Sequence, residues 1–335
     1  MKQKIYSALR ILFFLALGIG LFWFVLRNQN ISDVKNSLLH ANWWWAIVSL
    51  LFALASNVFR SIRWNMLIHP LNYKPKFANT FCAVMVGYLA NLVVTRMGEV
   101  TRCALMNQYE KIPMSSLIGT VVVERVVDFI TLFICLLLII VLEFDKMSAI
   151  SNENIFIPLG NKIQSLVGKG FSFYLVVAAI ILGLGLIFYF LYRRRNKFKF
   201  YLKLTDLAKG FVSGLKTIGQ LKEKKMFIVH SVLIWICYFM MSYVCFNSFP
   251  GTTGLGFSAG LAVLVFGAFG FVAPVPGGIG AFEFMVTTAL ATYAVDKDTQ
   301  SAYAILTHFS QTGAVLVFGS LSLVILAVIN KPKKA

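Results

Sequence analysis

Charge is what this sequence has least of. Only 13% of its 335 residues are Asp, Glu, Lys or Arg, where an ordinary soluble domain has about a quarter. Acids are scarcer still, at 13 residues, and no DDxxD motif occurs among them. Metal-assisted chemistry usually draws on clustered carboxylates, so little here points to it. The four histidines, His40, His69, His230 and His308, show no ligand spacing, and a lone membrane histidine most simply packs and hydrogen-bonds. The five cysteines (Cys82, Cys103, Cys135, Cys237 and Cys245) are odd in number and form no CxxC. They suit packing rather than a disulfide framework or a zinc site. No metal or cofactor is expected.

What remains is apolar. Hydrophobic residues make up 59% of the chain and the mean hydropathy is +0.78. Six runs, at 6–26, 43–59, 126–142, 171–192, 226–249 and 302–329, approach or exceed the roughly 18 residues that read as a spanning helix. The first ends in bulky FWFVLR with no small-residue cleavage site, so it reads as a retained span rather than a signal peptide.

Lys and Arg set the orientation. The segment 193–225 carries eleven basic residues against two acidic ones, which places it in the cytoplasm. Its apolar residues from Phe200 to Leu221 follow helical spacing, as in an amphipathic helix on an anionic leaflet. That use accounts for the net charge of +18 without nucleic acid. Arg60, Arg63, Lys74 and Lys76, and Lys331, Lys333 and Lys334 in the tail, read as cytoplasmic too. Both termini then lie inside, as in a multi-pass protein of the cell membrane.

Parity adds two hairpins. Between two cytoplasmic segments the stretch 77–113 must enter and return, and 255–293 must do the same from outside. The expected architecture is all-α: about six full spans plus two re-entrant broken hairpins, arranged as an inverted repeat in one membrane domain, 1–335. Irregular backbone at membrane depth must be buried in protein or line a watery cavity, as where transporters bind substrates. The second break is PVPGGIG at 274–280.

Charges gather near these breaks. Asn91, Thr95, Glu99 and Arg102 are spaced four, four and three, so one continuous helix would carry them on one face. Glu124, Arg125 and Asp128 follow in ERVVD. Each such charge costs roughly 2.5 to 3.5 kcal/mol at a helix centre, so they are paired, interfacial or facing a cavity. Glu124 and Arg125 fall at the edge of the 126–142 run, where snorkelling would serve; Asp128 lies a turn deeper.

Over nearly its whole length the chain resembles the lysylphosphatidylglycerol synthase transmembrane-region family, also called flippase-like. The resemblance rests on FRSIRW with Arg60, Arg63 and Trp64, and on NLVVTRMGEVTR with Asn91, Arg96, Gly98, Glu99 and Arg102. It continues in ERVVD with Glu124, Arg125 and Asp128, and in PVPGGIGAFE with Pro274, Pro276, Gly277, Gly278, Gly280 and Glu283. Thr95 stands where the family commonly has proline, which shifts the expected break toward Gly98. The resemblance implies a lipid translocation module. Bifunctional members that move aminoacylated phosphatidylglycerol carry a further soluble synthase domain; this sequence ends at NKPKKA after its last span, so aminoacyl transfer is not expected.

Arg96, Arg102 and Arg125 offer planar donors to a phosphate. Glu99, Glu124, Asp128 and Glu283 would neutralise arginines, bind a cationic head group or carry a proton. The glycines of PVPGGIG would admit close backbone approach and free peptide N–H groups for a substrate; alternatively, Glu283 pairs with an arginine to hold two repeats together. The expected ligand is a membrane phospholipid or other lipid-linked head group. Two further classes remain open: a membrane transferase acting on a polyprenyl phosphate, and a non-catalytic partner of a separate lipid-modifying enzyme.

Overall fold

The computed structural model describes residues 16–17, 19–27, 31–143, 221 and 223–331. The expected span at 171–192, nearly all of the basic segment 193–225 and part of the first span at 6–26 lie outside these. Two compact units divide the chain, residues 1–137 with 218–335, and residues 138–217. The contacts that follow lie within the first.

Every described regular element is helical. In chain order these are α1 (residues 19–26), α2 (Ile31–Leu39), α3 (Trp43–Ile68), α4 (Phe77–Val93), α5 (Met97–Glu110), α6 (Met114–Leu142), α7 (Lys224–Val244), α8 (Phe257–Val272), α9 (Ala281–Ala291) and α10 (Lys297–Ile329). Among the described residues α3, α6, α7 and α10 are long and apolar enough to cross a membrane. Their outward faces stay bare, with Phe129, Phe133 and Ile134 on α6 and Leu321, Val324 and Val328 on α10 all exposed. Apolar surface on that scale is a liability in water and ordinary in hydrocarbon.

Two spans are longer than hydropathy shows. The run at 43–59 continues as helix to Ile68, and the run at 126–142 begins at Met114. These extensions absorb the charged residues. Arg60 and Arg63, counted above among the cytoplasmic basic residues, lie inside α3 and are 3% and 0% exposed. Glu124 lies ten residues into α6, about 15 Å from its start, and is fully buried. Interfacial snorkelling therefore does not describe Glu124; carboxylate partners for the arginines make their burial tolerable.

Between the long helices lie two pairs of short ones. α4 and α5 have 17 and 14 residues, α8 and α9 have 16 and 11. At 1.5 Å per residue none exceeds about 26 Å, short of a core of about 30 Å. The first break falls at Val94–Arg96, where Val94 is extended and Arg96 adopts φ 64°. It therefore precedes Gly98 and forms without a proline. Gly98 has a different use: a Cβ on Gly87 opposite it would stand 2.9 Å from the Gly98 carbonyl oxygen, so both residues must be small for α4 and α5 to close. The Asn91 side chain then crosses the break and accepts from the Gly98 N–H at 2.7 Å. This also revises the continuous face: the helix stops between Asn91 and Glu99, and folding back brings them together.

Hydrogen bonds show which way each pair opens. At one face, Glu110 at the end of α5 accepts from the Lys76 N–H at 3.0 Å and from Asn79 Nδ2 at 2.6 Å. Asn79 also exchanges amide bonds with Asn330 beyond α10 at 3.1 and 2.8 Å, and Thr80 donates to Asn65 near the end of α3 at 2.7 Å. At the other face, Asn42 before α3 donates its N–H to the Ser248 carbonyl at 3.0 Å, and Gly251 packs on Thr299 and Asp296 at the start of α10. The α4–α5 pair opens on the first face and α8–α9 on the second. Their breaks meet between the faces, where Leu92 packs against Gly277.

Candidate functional site

Four helices contribute to one polar cluster. Arg60 and Arg63 come from α3, Glu99 and Arg102 from α5, and Glu124, Arg125 and Asp128 from α6. Tyr238 and Ser231 of α7 complete it. Glu124 is its centre: Oε1 is hydrogen-bonded by Arg60 Nη1, Arg63 Nη2 stands 3.6 Å away, and Arg102 Nη1 lies 3.1 Å from Oε2. Asp128 takes Arg63 Nη2 at 2.7 Å and Arg60 Nη1 at 3.2 Å. Arg60 also donates to the Tyr238 hydroxyl at 2.8 Å and Arg63 to Ser231 at 3.2 Å. Arg102 lies over the Trp64 ring, 4.6 Å from its centroid, and the indole N–H is fixed by Thr120 at 2.9 Å.

Charge in this cluster does not balance. Four guanidiniums, of Arg60, Arg63, Arg102 and Arg125, meet three carboxylates, of Glu99, Glu124 and Asp128, which leaves one positive charge over. Arg102 is only 4% exposed, yet its Nε and Nη2 have no hydrogen-bond partner among the described residues, and neither has Glu99 Oε2. Such groups are costly unless something else satisfies them. Arg102 lines a small, partly open recess of about 10 Å³, room for about one water, together with Tyr88, Asn91, Gly98, Glu99 and Arg125. Arg125 and Glu99 form the accessible edge, paired at 3.2 Å with side chains 46% and 29% exposed.

The second break holds a different arrangement. Glu283 Oε2 accepts from the Gly280 N–H at 2.7 Å, capping α9, while Oε1 lies 2.6 Å from His308 Nδ1 of α10. His308 Nε2 reaches the Gly277 carbonyl at 2.9 Å. The partner of Glu283 is a histidine rather than an arginine. Nor are the Gly278 and Ile279 amides free: they donate to the Val275 carbonyl at 3.0 Å and the Pro276 carbonyl at 3.4 Å. The glycines are needed for the turn itself, since Gly277, Gly278 and Gly280 have φ of 62°, 78° and 79°. Pro276 and Gly278 are buried beneath it.

Of the residues singled out from the sequence, Arg60, Arg63, Asn91, Glu99, Arg102, Glu124, Arg125 and Asp128 converge on the first cluster or its recess. Pro276, Gly277, Gly278, Gly280 and Glu283 form the second. Arg96 joins neither; it is exposed at the break. Tyr238, Ser231 and His308 were not singled out. His308 alone carried a usable signal, an ionisable residue deep inside a span. Among the described residues no group of three or more His, Cys, Asp or Glu is placed to hold a metal ion, and Asp296, from the short polar stretch near 296–298, caps α10 instead.

Fold and site together define a polytopic membrane protein with a polar centre held between broken helices. The chain belongs to the lysylphosphatidylglycerol synthase transmembrane-region family, whose sequence profile matches residues 9–319. It is also similar to a UPF0104 membrane protein of Methanocaldococcus jannaschii, with 30% identity over 118 residues. That match covers 33% of this chain and 35% of the relative, so the chain spans about a third of the curated relative's length. No solved structure matches it.

Proposed function

We propose that this protein moves an anionic or aminoacylated phospholipid, or another lipid-linked phosphate head group, between the leaflets of the cell membrane. The observation that carries the reading is the surplus guanidinium charge of the cluster, with Arg102 lining the recess and its buried Nη2 without a partner among the described residues. A head group cannot cross about 30 Å of hydrocarbon without compensation. A phosphodiester oxygen at Arg102 and Arg125 would supply both the missing charge and the missing acceptor. The two short helix pairs act as re-entrant hairpins from opposite leaflets, the arrangement of an inverted repeat, so that the recess can be reached where neither leaflet's backbone is continuous. Basic residues put the α4–α5 opening and both termini on the cytoplasmic side.

The test is leaflet-specific translocation of labelled phosphatidylglycerol, with phosphatidylcholine as control, by the full chain in liposomes. Arg125→Ala is the informative variant. Its ion pair is half exposed, so the loss of stability stays within about 1 kcal/mol, while translocation is expected to fall about tenfold or more, the size of one hydrogen bond to a charged group. Failure of the unaltered chain to accelerate any anionic lipid overturns the reading.

A further inference from the structure

The Glu283–His308 contact has a proton inventory that follows from its partners alone. Gly277 O is a carbonyl and only accepts, so His308 Nε2, 2.9 Å away, carries a hydrogen. Nδ1 lies 2.6 Å from Glu283 Oε1, a distance at which one of the two atoms must donate. Either the imidazole is doubly protonated beside a carboxylate, or a neutral imidazole accepts from a protonated Glu283. Both descriptions hold one titratable proton on a pair of zero net charge. Without that proton the ring has one hydrogen for two acceptors, so either the Glu283 contact or the Gly277 contact would open.

Among the described residues no other charge is paired with these two side chains. Glu283 is otherwise held by the Gly280 N–H, and Phe271, Phe282 and Phe309 ring His308. On the elements packed around them, α8 has no titratable side chain and α9 only Glu283. α10 adds Lys297 and Asp298 in its first turn and Tyr303, whose hydroxyl donates to the Ser242 carbonyl at 2.7 Å. α4, behind Leu92, adds Cys82 and Tyr88. α1 contacts α9 and α10 through Phe24 and Phe22, and Arg27 after it stacks on Phe24. The α3 arginines are held by Glu124 and Asp128.

We infer that Glu283 and His308 form a proton-binding site that fastens the 274–280 loop to α10, and that proton exchange there releases the loop and drives the transport cycle. The site stands on the hydrogen-bond geometry; its coupling to transport rests on the translocase reading. The loop passes beside Leu92, which a Cβ at Gly277 would meet at 3.4 Å, and Leu92 is one residue from Asn91 in the recess wall, so release reaches the neighbourhood of the recess.

Two measurements separate the claims. In nanodiscs, hydrogen–deuterium exchange of segment 274–283, corrected for the intrinsic effect of pH, should quicken by about tenfold or more as pH rises, the size of losing one hydrogen bond to a charged group. Glu283→Gln keeps an N–H for His308 Nδ1 and an oxygen for the Gly280 N–H but has no proton to lose, so its segment should stay protected throughout. His308→Gln leaves the Glu283 carboxyl without its imidazole, so its response to pH should differ from that of the unaltered chain, and it carries the test if the first variant does not accumulate. A pH-independent segment in the unaltered chain, or an unchanged response in both variants, overturns the site. In liposomes, an imposed pH gradient should change the translocation rate of the unaltered chain and not of Glu283→Gln. A gradient without effect overturns the coupling, while absence of any translocation would refute the translocase reading and leave the exchange result to decide the site.

Discussion

Replacing Glu124 by Gln keeps size and shape but removes the charge that three arginines share. Arg60, Arg63 and Arg102 are 3%, 0% and 4% exposed, so none can turn toward water when the carboxylate is lost. Breaking a buried pair by removing one partner costs about 3–5 kcal/mol. With roughly 2 cal/mol/K of unfolding entropy per residue, that lowers the Tm of a 335-residue chain by about 4–7 °C. Glu99→Gln removes the same charge from the same cluster, but Glu99 and its partner Arg125 are 29% and 46% exposed. Its cost should stay within about 1 kcal/mol, a shift of about 1 °C. Thermal unfolding in detergent, followed by tryptophan fluorescence, reads both variants. Equal shifts would show that burial does not set the energetics of the cluster and would refute the reasoning.

Gly98→Ala is expected to cost about 1–3 kcal/mol by overpacking, because its Cβ would collide with the Gly87 carbonyl oxygen and stand 2.7 Å from Asn91 Nδ2; a melting temperature equal to that of the unaltered chain would mean that the α4–α5 apposition is loose. Single cysteines at Lys74 and Lys297, in a background lacking the native five, should react with impermeant reagent from the cytoplasmic and the external side respectively, and labelling of both from one side would exclude opposed hairpins.

Helices, breaks and ion pairs were legible to different degrees. Long apolar runs give the four spanning helices because hydrocarbon demands them over a fixed length. Their ends were underestimated wherever a charge sat inside the helix. Arg60, Arg63 and Glu124 lower the local hydropathy, but their ionic partners stand between 22 and 68 residues away in the chain, beyond the reach of a span-length window. The PVPGGIG break shows in composition, since three positive-φ positions select glycine. The break before Arg96 does not, because Val94, Thr95 and Arg96 are ordinary residues held there by packing and by Asn91. His230 and His308 look alike in sequence. One bonds the Met226 carbonyl of its own helix at 2.7 Å, the other bridges to α9 and its turn, a difference made only by tertiary structure.

The pairing of Glu283 with His308 also orders events during synthesis. Glu283 emerges 25 residues before its partner, about 1–5 s at ordinary elongation rates. In that interval the carboxylate stands on an 11-residue helix that covers only about 16 Å, beside a turn whose Gly277 carbonyl still waits for its donor. Hydrocarbon offers such a segment nothing, so it is expected to stay at the interface until α10 brings the imidazole. A released chain truncated after residue 300, which lacks His308, should leave the 274–280 loop open to protease, and protection in that chain would disprove the dependence on α10. On the proposed reading the second hairpin and the final helix should enter the bilayer as one object, although the genetic code delivers them in sequence.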